Sequence, residues 1–355
     1  MGSQFEVDKA KFQEYQLMPL NSRPLVDGEI RVNIDFFAFT ANNLTYAVAG
    51  DMLGYWQFFP ASSESQGMIP VWGFADVVES NSSDIEVGER IYGYLPPASE
   101  LVLKPHKVRQ DSWFDASAHR QSLPPLYNRY LRLPPRSDEQ RSAETGQALL
   151  GPLYMTGYLL YDYLKQSDYF GAEQVLVLSA SSKTSIGLAY ALTLDETPAA
   201  IGLTSSGNQA FVDGLGYYDS TVTYEALNNL DNKPTVVVDM AGNAELRDQL
   251  AERFGDHLRH YVRVGLTHWD QQGGGDPTGS GANGAFFFAP SYMLERSEAD
   301  PSFAATVQEF VAQGARASLD WLQISNLDGL DGLASVYLDM CQGRVSPKLG
   351  LICTM

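Results

Sequence analysis

The chain has 355 residues and a formal net charge of −19 at pH 7, from 24 Lys and Arg against 43 Asp and Glu. This balance excludes a nucleic-acid backbone binder and a protein that docks on an anionic membrane, since both need basic patches; a small anionic ligand at one local site stays open. With 44% hydrophobic and 19% charged residues, the chain can bury a core, is long enough for two domains and is not expected to be disordered. Its two cysteines, Cys341 and Cys353, make neither a disulfide framework nor a four-cysteine zinc site, and a reducing cytoplasmic setting is expected. No apolar run is long enough for a transmembrane helix, and residues 1–11 lack the apolar centre of a signal peptide.

In chain order, residues 1–145 are rich in Pro, aromatics and short alternating apolar runs, which predicts strands at 29–36, 69–79, 90–93 and 100–103. The polar, aromatic stretch 111–136 is expected to be irregular. From about residue 148 the texture changes. A helix at 148–164 leads into strands at 174–179, 199–204, 222–224, 235–240, 260–265 and 285–289. Helices at 184–194, 209–215 and 244–254 separate several of them. Strands alternating with helices of this length predict βαβ units and a doubly wound parallel sheet, an α/β fold. The Gly-rich stretch 271–283 reads as a loop, 304–324 as helix, 333–343 as a short helix and 348–353 as a last strand. That last strand suggests that the chain returns to the first domain, so that the α/β unit is an insertion.

The most informative segment is Val175-Leu-Val-Leu-Ser-Ala-Ser-Ser-Lys-Thr-Ser-Ile-Gly187. A hydrophobic strand runs into small residues and then into a helix, the place where a dinucleotide fold sets its pyrophosphate against backbone N–H groups. Ser179, Ser182 and Ser185 stand at the spacing where glycines are usual. A Ser-capped helix after a core strand would look the same. The segment Ser182-Lys-Thr184 ends like a phosphate-binding P-loop, but the two glycines of that motif are Val177 and Ser182 here.

With its neighbours, this segment resembles the zinc-free, quinone-reductase and enoyl-reductase side of the medium-chain dehydrogenase/reductase superfamily. The matching pieces stand in the family's order: Phe37-Ala-Phe-Thr-Ala-Asn-Asn-Leu-Thr-Tyr-Ala-Val-Ala-Gly50, Ile69-Pro-Val-Trp-Gly-Phe-Ala-Asp-Val-Val-Glu79, Val87-Gly-Glu-Arg-Ile-Tyr-Gly93, Leu153-Tyr-Met-Thr-Gly-Tyr158, Asp239-Met-Ala-Gly242 and Val264-Gly265. The resemblance implies a discontinuous GroES-like β-rich domain (1–147 and 291–355) and a Rossmann nucleotide-binding domain (148–290). It also implies an oxidoreductase, and pairing of two copies through the sixth strand, Phe286-Phe-Phe288, unless that edge is covered in a monomer. Where zinc-bearing members place catalytic ligands, this chain has Asn42–Asn43, Trp72 and Gly73, so no metal is expected.

The expected cofactor is NADP(H). The second strand ends Leu203-Thr-Ser-Ser-Gly-Asn208 without the carboxylate that holds an NAD ribose. Thr204, Ser205 and Asn208 could donate to a 2′-phosphate, and Lys183 could supply its positive charge. Ser179, Ser181, Ser182 and Thr184 complete the turn, and Ala241 and Gly265 end the fourth and fifth strands. The substrate is expected to be a small molecule, an α,β-unsaturated carbonyl compound or a quinone. In the stretch matching the family's active-site loop, Tyr46 is the candidate proton donor and Asn43 the candidate to polarise a carbonyl. Thr156, on the helix entering the nucleotide domain, is the third catalytic candidate. Tyr55, Trp72, Tyr127 and His268 are candidate substrate contacts, with core packing the commoner role for such aromatics. The competing readings are a non-redox carbon–carbon lyase or isomerase on the same scaffold, and a non-catalytic dinucleotide sensor.

Overall fold

The computed structural model describes residues 2–195, 198–264 and 284–355. Gly265, His268 and the stretch 271–283 lie outside the described residues. The chain forms two compact units, Met1–Leu149 with Leu322–Met355, and Leu150–Trp321. Along the first unit run β1 (Gly2–Asp8), β2 (Tyr15–Leu20), β3 (Ile30–Phe39), α1 (Ala41–Val48), β4 (Gln66–Gly67), β5 (Val71–Ser80), β6 (Arg90–Leu95), β7 (Glu100–Leu103), β8 (Pro105–His106), β9 (Ser112–Asp115) and β10 (Arg129–Leu133). The chain passes to the second unit inside α2 (Asp138–Gln166). There follow β11 (Gln174–Leu178), α3 (Lys183–Leu192), β12 (Ala199–Thr204), α4 (Gln209–Leu215), β13 (Ser220–Thr223), β14 (Thr235–Asp239), α5 (Ala244–Phe254), β15 (Leu258–Arg263), β16 (Gly284–Phe286), α6 (Ala289–Ala299) and α7 (Phe303–Ala317). The return to the first unit brings β17 (Gln323–Asp328), α8 (Gly329–Cys341) and β18 (Leu349–Thr354). Among the described residues, no helix is long and apolar enough to cross a membrane.

In the first unit β2, β1 and β4 make a small sheet, and a larger one runs β17-β18-β3-β5-β6-β10-β9-β8, with β7 also on β3. Strand β3 is central, antiparallel to β5 and to β18, and almost every residue on it is buried. Arginines tie the sheet to the start of α2: Arg141 on α2 pairs with Asp35 on β3 (2.9 Å), and Arg90 makes a larger cluster. Arg90, fully buried on β6, pairs with Asp35 (2.8 Å), Asp76 (2.9 Å) and Glu144 (2.8 Å). A buried guanidinium is tolerated here because its N–H groups meet carboxylates in charge-assisted bonds.

The second unit has one sheet in the order β13-β12-β11-β14-β15-β16, all parallel. Counted within the unit this is 3-2-1-4-5-6, the doubly wound dinucleotide-binding order, with its switch point between β11 and β14. All five residues of β11 and of β14 are buried, as central parallel strands require. Helices α2 and α3 approach closely through Gly157 and Gly187. A Cβ on Gly157 would lie 2.5 Å from the Leu188 nitrogen.

Several expected elements differ. The stretch expected to be irregular at 111–136 contains β9 and β10, which pair with each other, β10 pairing also with β6. The expected helix over 304–324 ends at Ala317, and Gln323–Asp328 is strand β17, parallel to β18. Strands β1 and β2 and helix α6 were not expected. Residues 291–321 belong with the second unit, not with the first. The Tyr292 hydroxyl and Arg296 Nε both donate to Asp162 Oδ2 at 2.7 Å, and the Tyr154 hydroxyl lies 2.7 Å from Ser318 Oγ.

Candidate functional site

In the second unit the candidate site is built where β11 ends. Leu178 closes the strand, Ser179 turns with φ +52°, and α3 begins at Lys183. The serines divide their work. Ser182 caps α3, its Oγ accepting from the Ser185 N–H (3.2 Å) and donating to Ser185 Oγ (2.9 Å). Ser185, fully buried, donates to the Leu178 carbonyl (2.9 Å). These two hydroxyls therefore serve the turn itself. Ser181 Oγ accepts from Asn208 Nδ2 (3.2 Å), which joins the turn to the end of β12. Thr204 is buried, while Ser205 and Thr184 are partly buried. Lys183 is also partly buried, and loss of hydration pulls its ammonium down to about 8.

A cavity of about 220 Å³ opens at the switch point, lined by Leu178 and Ser179 from β11, Asp239 and Ala241 from the end of β14, Tyr224, and the start of α5. The crevice beyond the carboxyl ends of strands at a switch point is where open α/β sheets bind ligands. Of the expected cofactor residues, Ser179 and Ala241 line it. Ser181, Ser182, Lys183 and Thr184 continue the same turn into α3, and Thr204, Ser205 and Asn208 lie at the end of the adjoining β12.

Sequence reasoning missed three residues here. The Tyr224 hydroxyl accepts from the Ser179 N–H (3.1 Å), and the Tyr218 hydroxyl donates to the Ala180 carbonyl (2.9 Å). Asp239, buried, accepts from the Ala241 and Gly242 N–H groups at 2.9 Å through Oδ1 and from the Tyr261 hydroxyl at 2.8 Å through Oδ2. It thus fixes the turn after β14, whose sequence Asp239-Met-Ala-Gly242 carried the only signal. Thr156 is on α2, and its hydroxyl donates to the Pro152 carbonyl (2.9 Å), the local bond that a Ser or Thr commonly makes within a helix.

In the first unit the structure brings together Tyr46, Tyr55, Trp72 and Tyr127, all four of them buried. Tyr46 lies 4.7 Å from Tyr55 and 5.5 Å from Tyr94 between ring centroids, and Tyr94 lies 4.7 Å from Tyr127. Trp72 Nε1 donates to the Tyr46 hydroxyl (3.2 Å), and the Tyr55 and Tyr127 hydroxyls are 3.1 Å apart. Burial pushes the Tyr46 phenol up to about 12 and raises Tyr55, Tyr94 and Tyr127 further. Every one of these phenols keeps its proton at neutral pH. Tyr92 and Tyr94, missed in the sequence, alternate with Gly93 on β6 and so share one face. The Tyr94 hydroxyl is buried with no hydrogen-bond partner among the described residues.

One expectation changes at this cluster. The stretch 42–46, expected as a loop, is helix α1. Asn43, expected to polarise a carbonyl, is held by its amide: Oδ1 accepts from the Thr40 N–H (2.7 Å) and Nδ2 donates one hydrogen to the Pro70 carbonyl (2.8 Å). These bonds make it part of the capping box at the start of α1.

The model of one family matches residues 37–346, most of the chain. The chain belongs to the family described as "Protein of unknown function (DUF2855)". No curated protein matches it in sequence. Among solved structures it is similar to CurA from Vibrio vulnificus in complex with NADPH (12% identity, TM-score 0.65, 99% of each chain covered). It is similar too to the quinone oxidoreductase from Coxiella burnetii (11%, TM-score 0.56, 100% of this chain and 99% of that one). A mutant form of the enoyl thioester reductase from Candida tropicalis also matches (12%, TM-score 0.59, with the same coverage). The fold of this family member is therefore the medium-chain reductase fold, α/β with two units, over the whole chain.

Proposed function

We propose that the protein is an NADPH-dependent reductase that passes hydride to an α,β-unsaturated carbonyl compound or a quinone. The observation that carries this reading is the cavity at the β11/β14 switch point beside a turn of small residues leading into α3. The residues present fit a dinucleotide phosphate. Between β11 and Lys183 no side chain is larger than serine, which lets an anion approach the backbone, and α3 begins there. The end of β12 offers Thr204, Ser205 and Asn208 and no carboxylate, which favours a 2′-phosphate over a free hydroxyl. Lys183 supplies the cation. The likeness in fold to CurA in complex with NADPH supports the same assignment.

When bound, NADPH supplies the hydride. The chain's own residues bind, orient and deliver a proton. Tyr46 donates its hydroxyl proton to the substrate oxygen that gains negative charge, and solvent restores that proton afterwards. The Trp72 Nε1–H, already on the Tyr46 oxygen, stabilises the phenolate left behind. Hydride plus proton balance a two-electron reduction. Tyr55, Trp72 and Tyr127 furnish flat apolar walls suited to a conjugated substrate.

Fluorescence titration with NADPH and NADH tests the cofactor, followed by a screen of enones and quinones for NADPH oxidation. Tighter binding of NADPH and turnover of at least one acceptor are expected. Binding of neither nucleotide overturns the reading.

A further inference from the structure

Ser179 occupies a position at which a dinucleotide turn ordinarily uses glycine, because glycine reaches positive φ without steric cost. Here a serine does so, at φ +52°. Its side chain opposes that conformation, so neighbouring groups must hold it.

The structure shows what does. The Ser179 N–H is taken by the Tyr224 hydroxyl (3.1 Å). The next residue is held through both of its backbone groups: the Ala180 N–H donates to the Leu203 carbonyl (3.0 Å), and the Ala180 carbonyl accepts from the Tyr218 hydroxyl (2.9 Å). The Ser179 carbonyl then accepts from the Ser182 N–H (2.7 Å), which closes the turn at the start of α3. Room for this arrangement comes from Gly202 on β12, where a Cβ would sit 3.0 Å from both the Ala180 Cβ and the Tyr218 ring.

We infer that Tyr224, supported by Tyr218, is a positioning residue that holds Ser179 left-handed and so pre-sets the phosphate turn. This chain has exchanged glycine's conformational freedom for a tyrosine tether. The inference rests on the dinucleotide reading only for its functional consequence, because the tether itself is a property of the folded chain.

The test is a double-variant cycle of Tyr224→Phe and Ser179→Gly, read in two ways on the full chain. Without nucleotide, thermal unfolding of Tyr224→Phe is expected to fall below the parent, and the same change in the Ser179→Gly background is expected to cost much less. Ser179→Gly alone keeps the parent's stability or exceeds it, because glycine adopts the turn untethered. With NADPH, Tyr224→Phe is expected to weaken binding about tenfold, the equivalent of one hydrogen bond. Adding Ser179→Gly is expected to return it to within about twofold of the parent. If the double variant stays as weak as Tyr224→Phe, the tyrosine acts by touching the ligand and the tether is refuted. Additive effects on unfolding refute it as well. If the parent binds no NADPH, the cofactor reading fails, and the unfolding cycle still decides the tether.

Discussion

The pH dependence of NADPH affinity is the sharpest consequence of the site. Lys183 is partly desolvated, which pulls its ammonium down to about 8. It is then about nine-tenths protonated at pH 7 and about one-tenth at pH 9. If the charged form alone holds the 2′-phosphate, the affinity for NADPH falls about tenfold across that interval. NADH, which lacks that phosphate, shows no such slope. Parallel titrations of both nucleotides from pH 6.5 to 9.5, on the parent and on Lys183→Gln, measure it. The variant is expected to bind NADPH weakly at every pH. A parent whose preference for NADPH over NADH is flat through pH 8, with a Lys183→Gln variant that keeps that preference, refutes the assignment of the phosphate to Lys183. Stability runs the opposite way. The folded value near 8 lies below the unfolded 10.5, so protonated Lys183 opposes folding below pH 8. That penalty disappears as the pH rises from about 8 through 10.5.

Three other perturbations test separate parts of the structure. Tyr46→Phe keeps the ring in the aromatic cluster but removes the proton donor; turnover is expected to drop about 100-fold or more, with NADPH affinity unchanged, and full turnover would remove Tyr46 from the mechanism. Arg90→Met strands Glu144, which is 9% exposed, without its guanidinium partner; urea unfolding is expected to show a loss of about 3–5 kcal/mol, much of it recovered by adding Glu144→Leu. Gly157→Ala sets a methyl 2.5 Å from the Leu188 nitrogen and 2.6 Å from the Gly187 carbonyl carbon, both backbone atoms; about 1–3 kcal/mol of stability is expected to go, and an unchanged melting temperature would contradict the close approach of α2 and α3.

The legibility of the fold followed burial. Strands β11, β12 and β14 are buried almost throughout, so their apolar runs stood out, and the bounds predicted from them fall within a residue of those observed. Strand β1 was hidden by Glu6. That residue is fully buried, and its carboxylate accepts from Gln4 Nε2, Gln16 Nε2 and both the N–H and hydroxyl of Ser62. A charged residue facing inward breaks the alternation that marks a strand, and nothing local announces the Ser62 donor fifty-six residues away. Strand β17 failed for the opposite reason. It is mostly exposed, Gln-Ile-Ser-Asn-Leu-Asp, and exists because β18 offers it an edge.

The site was legible in its residue types and less so in their offices. Tyr46 and Trp72 lie in motifs of the resemblance, Tyr55 follows one closely and Tyr127 stands in the aromatic segment before α2; the fold does gather them. Tyr92 and Tyr94 were overlooked although their period-two spacing on β6 places both rings on one face. Asn43 has a structural office that its residue type did not announce. A side-chain amide near a helix start satisfies backbone groups first, and with Thr40 and Pro70 as partners its oxygen and nitrogen are already engaged. The serine turn teaches the converse. Ser179 looked like a damaged glycine motif because sequence shows only the residue whose freedom was lost. The hydroxyl that holds its N–H belongs to Tyr224, forty-five residues on, and a turn that is poor by local rules is held by that long-range contact.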